Sequence, residues 1–307
     1  TREDDDGKQE QAFKRTTRMN RFQFKFDMDG PNQIKNRLQP ALTFWSTEFL
    51  LGEEFNTTDR HITFHLHDRA EFPIAPWLEI QTGFLLEVDS VRRKAIAPRF
   101  AREDTGPEVN LDEADVSSGK EDITRMWFGA WVSPEFRPLP WLRVSPQLRI
   151  DRFEALGETA VQPRMYMTFL PTPWMSWSLA GGRYHQTPSQ DELNAITGNP
   201  ELSTEGAWHA NLGLNLRPGE WLNIDLQTYA KFLDSQVVAD SSADTFADLL
   251  DTEGQDVEED PTHGLSNDGI GRIYGVEAFI RFGVLRGIGV SGWLGYSLSW
   301  SERKDFE

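Results

Sequence analysis

Apolar and polar residues alternate along most of the chain with a period of two. After Trp221, one side of the alternation carries Leu222, Ile224, Leu226, Ala230 and Phe232, and the other carries Asn223, Asp225, Gln227, Tyr229 and Lys231. A period of two is that of a β-strand, because successive side chains of a strand point to opposite faces of a sheet. No segment of useful length shows the 3.6-residue period of an amphipathic helix. The pattern therefore predicts a nearly all-β chain.

The alternation predicts about twelve strands, most of them long. They are expected at 18–28, 36–50, 60–72, 77–92, 123–135, 141–152, 160–169, 174–185, 207–216, 221–233, 272–282 and 288–302. Many of these runs reach ~11–15 residues, whereas an average strand of a soluble protein has ~5–6. Strands of this length are typical of a sheet that crosses a lipid bilayer at a tilt.

The connections between the predicted strands alternate in length. The short ones are at 29–33, 73–76, 137–140, 171–173 and 217–220, and the others are at 52–59, 94–122, 154–159, 186–206 and 234–271. In an up-and-down meander, alternate connections lie at opposite ends of the sheet. Short turns on one side and longer loops on the other are the pattern of bacterial outer-membrane barrels.

Tryptophan recurs at the short connections. Trp77, Trp141, Trp174 and Trp221 each follow a turn that contains Pro or Gly, and each opens an alternating run. An indole ring is favoured at the interface between a membrane and water, because one end of it is apolar and the other donates a hydrogen bond. The spacing predicts an aromatic girdle on the periplasmic side. The alternative is a soluble up-and-down barrel with these rings in its core, which would need neither such long strands nor tryptophan at one end.

Hydropathy and charge agree with a barrel. The mean hydropathy is −0.54, and no uninterrupted apolar run approaches the ~20 residues of a membrane helix, but a barrel has a polar lumen and long loops. The net charge is −18. The region 234–271 has eleven acids and no Lys or Arg, and 103–122 has eight acids and one Lys. We expect both to be solvated loops at the rim opposite the tryptophans, and we expect no nucleic-acid partner, since phosphates would be repelled.

A composite motif follows the strand predicted at 174–185. It comprises Tyr184, Gln186, Pro188, Glu192, Leu193, Gly198, Asn199, Pro200, Leu202 and Glu205, and farther along the chain Gly275 and Glu277 in Tyr274–Glu277. With these residues, the region 165–305 resembles the C-terminal β-barrel of TonB-dependent outer-membrane receptors. Gly198, Asn199 and Pro200 are also turn residues by their own chemistry. We expect the motif to order the rim of the barrel and not to bind a ligand.

The resemblance implies a barrel of about 22 strands closed around an N-terminal plug. It implies localisation in the outer membrane of a Gram-negative bacterium. It also implies uptake of a scarce ligand, such as an iron–siderophore complex or cobalamin, energised by the TonB complex through the plug. The chain shows no plug sequence, no TonB box and no terminal strand ending in an aromatic residue. We therefore expect residues 1–307 to be one partial barrel, a fragment that leaves an open sheet.

Other chemistry is weakly indicated. His61, His65 and His67 share one face of a predicted strand, and an H-x-H pair can ligate zinc, but polar residues are ordinary on a luminal face. Glu258, Glu259 and Asp260 lie in an acidic loop, and 251–260 lacks the spacing of an EF-hand. No cysteine is present. We therefore predict no catalytic residue, no metal site and no cofactor.

Three functional classes stay open from the residues alone. A receptor and transporter fragment fits the motif, with the bilayer, the TonB complex and a small ligand such as a metal chelate as partners. A passive porin-like channel would need the sheet to close with about this number of strands. A barrel hydrolase, or a soluble carbohydrate-active protein using its tryptophans, would need a catalytic cluster.

Overall fold

The computed structural model describes residues 13–51, 55–98, 116–189, 192–193, 199–239, 265–283 and 289–304. The strands are β1 (Phe13–Gln23), β2 (Phe26–Asp29), β3 (Lys35–Leu51), β4 (Phe55–Ala75), β5 (Leu78–Pro98), β6 (Val116–Leu139), β7 (Leu142–Phe153), β8 (Glu158–Thr172), β9 (Met175–Gln186), β10 (Glu205–Gly219), β11 (Leu222–Ala239), β12 (Leu265–Phe282) and β13 (Gly292–Lys304). Among the described residues, short 3₁₀ turns occur at Pro31–Gln33 and Glu154–Leu156. Within the described residues, no helix is long and apolar enough to cross a bilayer.

All thirteen strands form one antiparallel sheet with up-and-down connections. The order is β1-β3-β4-β5-β6-β7-β8-β9-β10-β11-β12-β13, and β2 pairs with β3 beside β1. The predicted all-β meander is confirmed. In the part of the chain that the structure describes, β1 and β13 do not pair, so the sheet is open, as expected. A small closed barrel, on which the porin interpretation depends, is not formed.

The first predicted strand is interrupted, and Pro40 on its partner strand explains the break. The segment predicted at 18–28 is divided between two strands. The first, β1, ends before Phe24, and the second, β2, begins after Lys25. Phe24 N–H donates to the Pro40 carbonyl at 3.0 Å. Because proline has no N–H, it cannot donate the reciprocal hydrogen bond to Phe24, and the hydrogen-bond ladder between the two strands is interrupted there.

Several strands extend farther than predicted, and the loops are correspondingly shorter. The strands β4, β5 and β6 have 21, 21 and 24 residues. The connection predicted at 52–59 shrinks to 52–54, so the expected contrast between short and long connections is wrong there. Parts of both acidic loops are also strand: 116–122 belongs to β6, 234–239 to β11 and 265–271 to β12. The remaining acidic residues lie outside the described residues.

The two faces of the sheet differ in exposure. Along β4, Arg60 and Ile62 are exposed, whereas His61 and Thr63 are buried. Burial of one face is what curvature of a sheet towards that face produces, and we call it the inner face and the opposite one the outer face. In β11, Leu226 lies opposite Leu214 and Ala278 on the outer face, and Gln227 lies opposite Glu277 on the inner face.

A small apolar core lies at the loop end of the sheet. It consists of Leu193, Leu202, Val237 and Leu265, with Leu156 packed against it. These residues come from two loops and from the ends of β11 and β12. The core therefore fixes the loop-end rim near β9–β12.

Candidate functional site

A hydrogen-bonded network around Asp151 occupies the inner face of β6, β7 and β8. Asp151 is 1% exposed. Its Oδ1 accepts from Trp127 Nε1 at 2.8 Å and from Arg149 Nη2 at 2.6 Å. Its Oδ2 accepts from Arg149 Nε at 2.7 Å and from Gln162 Nε2. A buried carboxylate needs such partners, because an uncompensated charge is costly away from water.

The neighbouring positions leave room for this network. Asp151 lies directly opposite Gly129 on one side and Ala160 on the other. A Cβ at Gly129 would collide with the Asp151 carboxylate and with the Arg149 guanidinium. The ion pair passes over the Gly129 backbone, so a side chain at this position would have to displace it.

A stacked series of cationic and aromatic side chains continues along the inner face. Gln162 Oε1 accepts from Arg164 Nη2 at 2.7 Å. The Arg164 guanidinium lies 4.1 Å from the ring centre of Tyr184, and that ring stacks on His209 with centroids 4.4 Å apart. Arg164 Nε is buried and has no hydrogen-bond partner among the described residues. Such a surface can bind a planar or anionic group of a ligand.

A second buried cluster surrounds His61, one of the three histidines singled out in the sequence. His61 Nδ1 lies 3.0 Å from Asp89 Oδ2, and Thr63 Oγ1 donates to Asp89 Oδ1 at 2.7 Å. The imidazole stacks on Trp45 with centroids 3.8 Å apart. His61 Nε2 is buried without a partner in the described part of the chain.

The three histidines share the inner face but do not converge. His65 Nδ1 pairs with Glu87 Oε2 at 3.1 Å, and Glu87 lies two residues before Asp89 on the same face of β5. His67 lies opposite Gln39 and Leu85. Over the described residues, no group of three His, Cys, Asp or Glu side chains could hold a metal ion. Glu258, Glu259 and Asp260, and the tract 251–260, lie outside those residues.

Several of the family-motif residues lie at the loop end of β9, β10 and β11. Gln186 Nε2 donates to Glu205 Oε2 at 2.7 Å, and Glu205 Oε1 accepts from Val237 N–H at 3.2 Å. The Glu192 carboxylate accepts from Ser189 N–H at 2.7 Å. These bonds join the ends of three strands to the loop that follows β9.

Asn199 is the centre of the second half of the motif. Its Nδ2 donates to the Leu265 carbonyl at 2.8 Å, and its Oδ1 accepts from Glu201 N–H at 2.8 Å. Its own N–H donates to the Glu192 carbonyl at 2.6 Å. Leu202 is in the apolar core. These contacts support a role in ordering the rim, which stays a prediction.

The remaining motif residues are dispersed. Leu193 and Pro188 border a cavity of about 120 Å³ that also touches Trp127 and Phe153. The structure places Pro200 in an exposed turn, Tyr184 in the stacked series, Gly275 opposite Tyr229, and Glu277 opposite Gln227. Gly198 lies outside the described residues.

An ion pair braces the outer face near the same rim. Arg183 Nη1 and Nη2 contact the two carboxylate oxygens of Asp234 at 2.5 and 2.6 Å. The pair passes over Gly206, and the Arg183 guanidinium lies 5.8 Å from the Trp208 ring. The pair therefore joins the ends of β9 and β11 across β10.

The four predicted girdle tryptophans occupy equivalent places at the opposite end. Trp77, Trp141, Trp174 and Trp221 lie in the turns directly before β5, β7, β9 and β11, and they are 41–53% exposed. Each main-chain carbonyl accepts an N–H at 2.7–2.8 Å from the turn end of the neighbouring strand; the donors are Arg137 in β6, Leu170 in β8, Arg217 in β10 and Gly283 directly after β12. Each tryptophan turn is therefore joined to the end of the second strand that follows it. That the rings form a membrane girdle stays a prediction.

Sequence reasoning did not identify the inner-face networks. Asp151, Gln162 and Arg164 appear in the sequence as single polar residues in alternating runs. A signal exists in hindsight, since Arg149 and Asp151, and Gln162 and Arg164, are each two apart and therefore share a face. Their convergence depends on the register between strands, which the pattern within one strand does not contain.

Comparisons with known proteins agree with this geometry. The family model described as "TonB dependent receptor-like, beta-barrel" matches residues 2–306. No curated protein matches the chain. Among solved structures, the FrpB iron transporter of Neisseria meningitidis (F3-3 variant) superposes with a TM-score of 0.67 at 13% identity, over 94% of this chain and 44% of that one.

Two further structures show the same fold. The siderophore receptor PirA of Acinetobacter baumannii has a TM-score of 0.66 at 13% identity, over 92% of this chain and 45% of that one. The RagAB peptide importer has a TM-score of 0.60 at 9% identity, over 95% and 37%. The chain thus spans less than half the length of each of these three proteins.

Proposed function

Because the chain belongs to the family of TonB-dependent receptor-like β-barrels, we propose that it forms part of the wall of an outer-membrane receptor that takes up a scarce ligand. The observation that carries the proposal is the contrast between the two faces of one sheet. The inner face buries charged and polar side chains in networks, whereas large apolar side chains such as Trp208, Phe232 and Leu294 are exposed on the outer face. A sheet of this kind suits a bilayer outside and a hydrated lumen inside.

The proposed orientation places the tryptophan turns at the periplasmic interface. The exposed indoles then lie at headgroup level. The acidic loops emerge at the opposite, extracellular rim, because antiparallel pairing carries the ends of β5 and β11 away from the tryptophan turns. We propose that these loops form a negatively charged vestibule that disfavours anionic solutes.

The ligand is proposed to be a small metal chelate or a similar compound. The solved structures of the same fold include an iron transporter, a siderophore receptor and a peptide importer. The stacked series of Arg164, Tyr184 and His209 offers a guanidinium and flat rings on the inner face. A chelate with planar or anionic donor groups suits these side chains better than a simple sugar does.

Energy for transport is proposed to come from the TonB complex, acting on a plug segment and not on this wall. The wall supplies passage and positioning, and the proposal includes no bond-making or bond-breaking step by its residues.

The proposal is tested with the complete receptor gene in a bacterium from which it can be deleted. Under iron limitation, we expect the deletion to abolish uptake of at least one radiolabelled iron chelate, and the gene to restore it. Inactivation of TonB in the restored strain should abolish uptake again. Uptake that persists without TonB would indicate a passive channel, and unaltered uptake of every chelate, cobalamin and peptide tried would contradict the receptor function.

A further inference from the structure

One region of the outer face carries an excess of bases. It lies near the loop end of β1 and β3–β6, and we call it the basic patch; its members are Arg18, Arg60, Arg92, Lys94 and Lys120. The register places them side by side: Arg60 lies directly opposite Arg92, and Lys94 lies directly opposite Lys120. All five side chains are exposed. The patch is notable because the whole chain has a net charge of −18.

Few acids offset these charges. On the same stretch of the outer face, the described residues include two, Glu48 and Asp122. Asp122 Oδ2 lies 3.3 Å from Arg92 Nε, with both side chains more than two-thirds exposed. Arg60, Lys94 and Lys120 have no ion-pair partner among the described residues. Like charges directly opposite one another destabilise a sheet, so this arrangement is unfavourable unless an anion is bound.

An apolar surface adjoins the basic patch on the side nearer the turns. It consists of Phe44, Ile62, Phe64, Met126 and Phe128, each 37–52% exposed on the outer face. Ile62 follows Arg60 by two residues on the same face, a separation of about 7 Å along the strand. Exposed bases and exposed apolar groups are therefore consecutive along β4.

We infer that the basic patch binds the phosphate-bearing headgroup of an anionic membrane lipid, whose acyl chains cover the adjoining apolar surface. Paired guanidinium groups bind phosphate oxygens through several charge-assisted hydrogen bonds. Lys94 and Lys120 add positive charge, and their ammonium groups need no particular orientation towards the phosphate. The inference rests on the proposed function, since the outer face must meet lipid.

The apolar surface distinguishes a lipid from a free phosphate. Inorganic phosphate satisfies the bases but leaves Ile62, Phe64 and Met126 exposed to water. A lipid pairs its headgroup with the bases and covers the apolar residues with its acyl chains. Its headgroup is then held at the boundary between the basic patch and the apolar surface. The phosphate group that the basic patch binds therefore belongs to a membrane lipid.

The test uses the full-length protein in nanodiscs of phosphatidylcholine mixed with phosphatidylglycerol, which are analysed by native mass spectrometry. We expect the released wild-type protein to retain phosphatidylglycerol in preference to phosphatidylcholine. The variant Arg60→Gln/Arg92→Gln/Lys94→Gln/Lys120→Gln should lower that preference about tenfold or more, since each base near the surface attracts anionic lipid. Arg60→Lys/Arg92→Lys keeps the charge and should retain most of the preference.

The matched control removes four bases from the inner face. The variant Lys35→Gln/Arg143→Gln/Lys231→Gln/Arg281→Gln changes the net charge equally and should leave the lipid preference unaltered. Equal losses in the two quadruple variants, or no loss in either, would overturn the inference. Displacement of phosphatidylglycerol by inorganic phosphate with no preference among lipids would assign the patch to free phosphate instead.

Failure of the inference can be told apart from failure of the proposed function. Protease protection in vesicles of phosphatidylcholine alone reports whether the protein inserts at all. A wild-type protein that does not insert contradicts the membrane wall itself. One that inserts and shows no preference for phosphatidylglycerol contradicts the lipid site and leaves the wall in place.

Discussion

The inner and outer faces of this sheet share a backbone but satisfy opposite requirements. On the inner face, Asp151 is 1% and Gln162 2% exposed, and their polar atoms have protein partners. On the outer face, Leu294 is 61% and Phe232 59% exposed. A soluble protein buries its large apolar residues and exposes its charges. The difference teaches that the two faces suit different surroundings, with charged groups paired inside and large apolar groups left uncovered outside.

The comparison predicts the largest loss for removal of the Asp151 carboxylate. Asp151→Ala leaves the partly buried Arg149 without a counter-charge, and we expect a loss of about 3–5 kcal/mol in the free energy of unfolding, as for other broken buried pairs. Urea unfolding in lipid vesicles, followed by tryptophan fluorescence, measures it. Asp122→Ala, at an exposed ion pair on the outer face, is the control and should change stability by less than about 1 kcal/mol. Equal effects would remove the distinction between the faces.

Adjacent residues of β11 test the faces directly. Leu226→Arg places a charge on the outer face and should cost about 2–4 kcal/mol if that face meets the middle of the bilayer. Gln227→Arg points to the inner face and should be tolerated. The yield of folded, heat-modifiable protein in vesicles separates the two variants. Similar yields would contradict the assignment of the outer face to lipid.

Gly206 sharpens the comparison at the loop-end rim. A Cβ there would meet the Arg183 guanidinium and Asp234, so Gly206→Ala must displace the ion pair. We expect a loss of about 1–3 kcal/mol, the usual cost of overpacking. Gly295→Ala is the matched control, because the atoms nearest to a Cβ at that position are 3.8 Å away. If Gly206→Ala leaves the free energy of unfolding unaltered, the Arg183–Asp234 ion pair can be displaced at little cost.

The smallest effect is expected at His61, where the inner-face network is incomplete. His61→Phe keeps the stacking on Trp45, removes a buried nitrogen without a partner, and loses one bond to Asp89. Removal of the unpaired nitrogen should stabilise the protein, and loss of the bond to Asp89 should destabilise it. The free energy of unfolding should therefore change by less than about 1 kcal/mol. His61→Ala also loses the stacking and should cost more, about 2 kcal/mol. If His61→Phe proves as harmful as Asp151→Ala, His61 Nε2 has a partner that the described residues do not include.

The fold could be predicted from the sequence to a large extent, because a period of two is a local property. The tryptophan turns and the strand that begins at Leu222 follow from neighbouring residues alone. The break between β1 and β2 could not be predicted in this way, since its cause, Pro40, lies on the partner strand. The extra length of β4, β5 and β6 was missed because polar residues beyond the apolar run look like loop.

The candidate site was much less predictable. Asp151, Trp127 and Gln162 belong to three strands, and only the pairing register brings them together. The rim motif was recognised through a resemblance, but its bonds, such as that from Asn199 to the Leu265 carbonyl, join residues 66 positions apart. Contacts that depend on such pairings are not contained in the alternation of any single strand.

The chain of bonds between successive turns has a consequence for how such a wall can grow. The carbonyl of Trp77 gains its donor when the end of β6 arrives, that of Trp141 when the end of β8 arrives, and that of Trp174 when the end of β10 arrives. Each finished hairpin thus offers an acceptor that the next hairpin must reach with its N–H. A hairpin that is added one residue out of register would leave that acceptor without its donor and would turn its inner side chains outward, so the bond favours the register seen here.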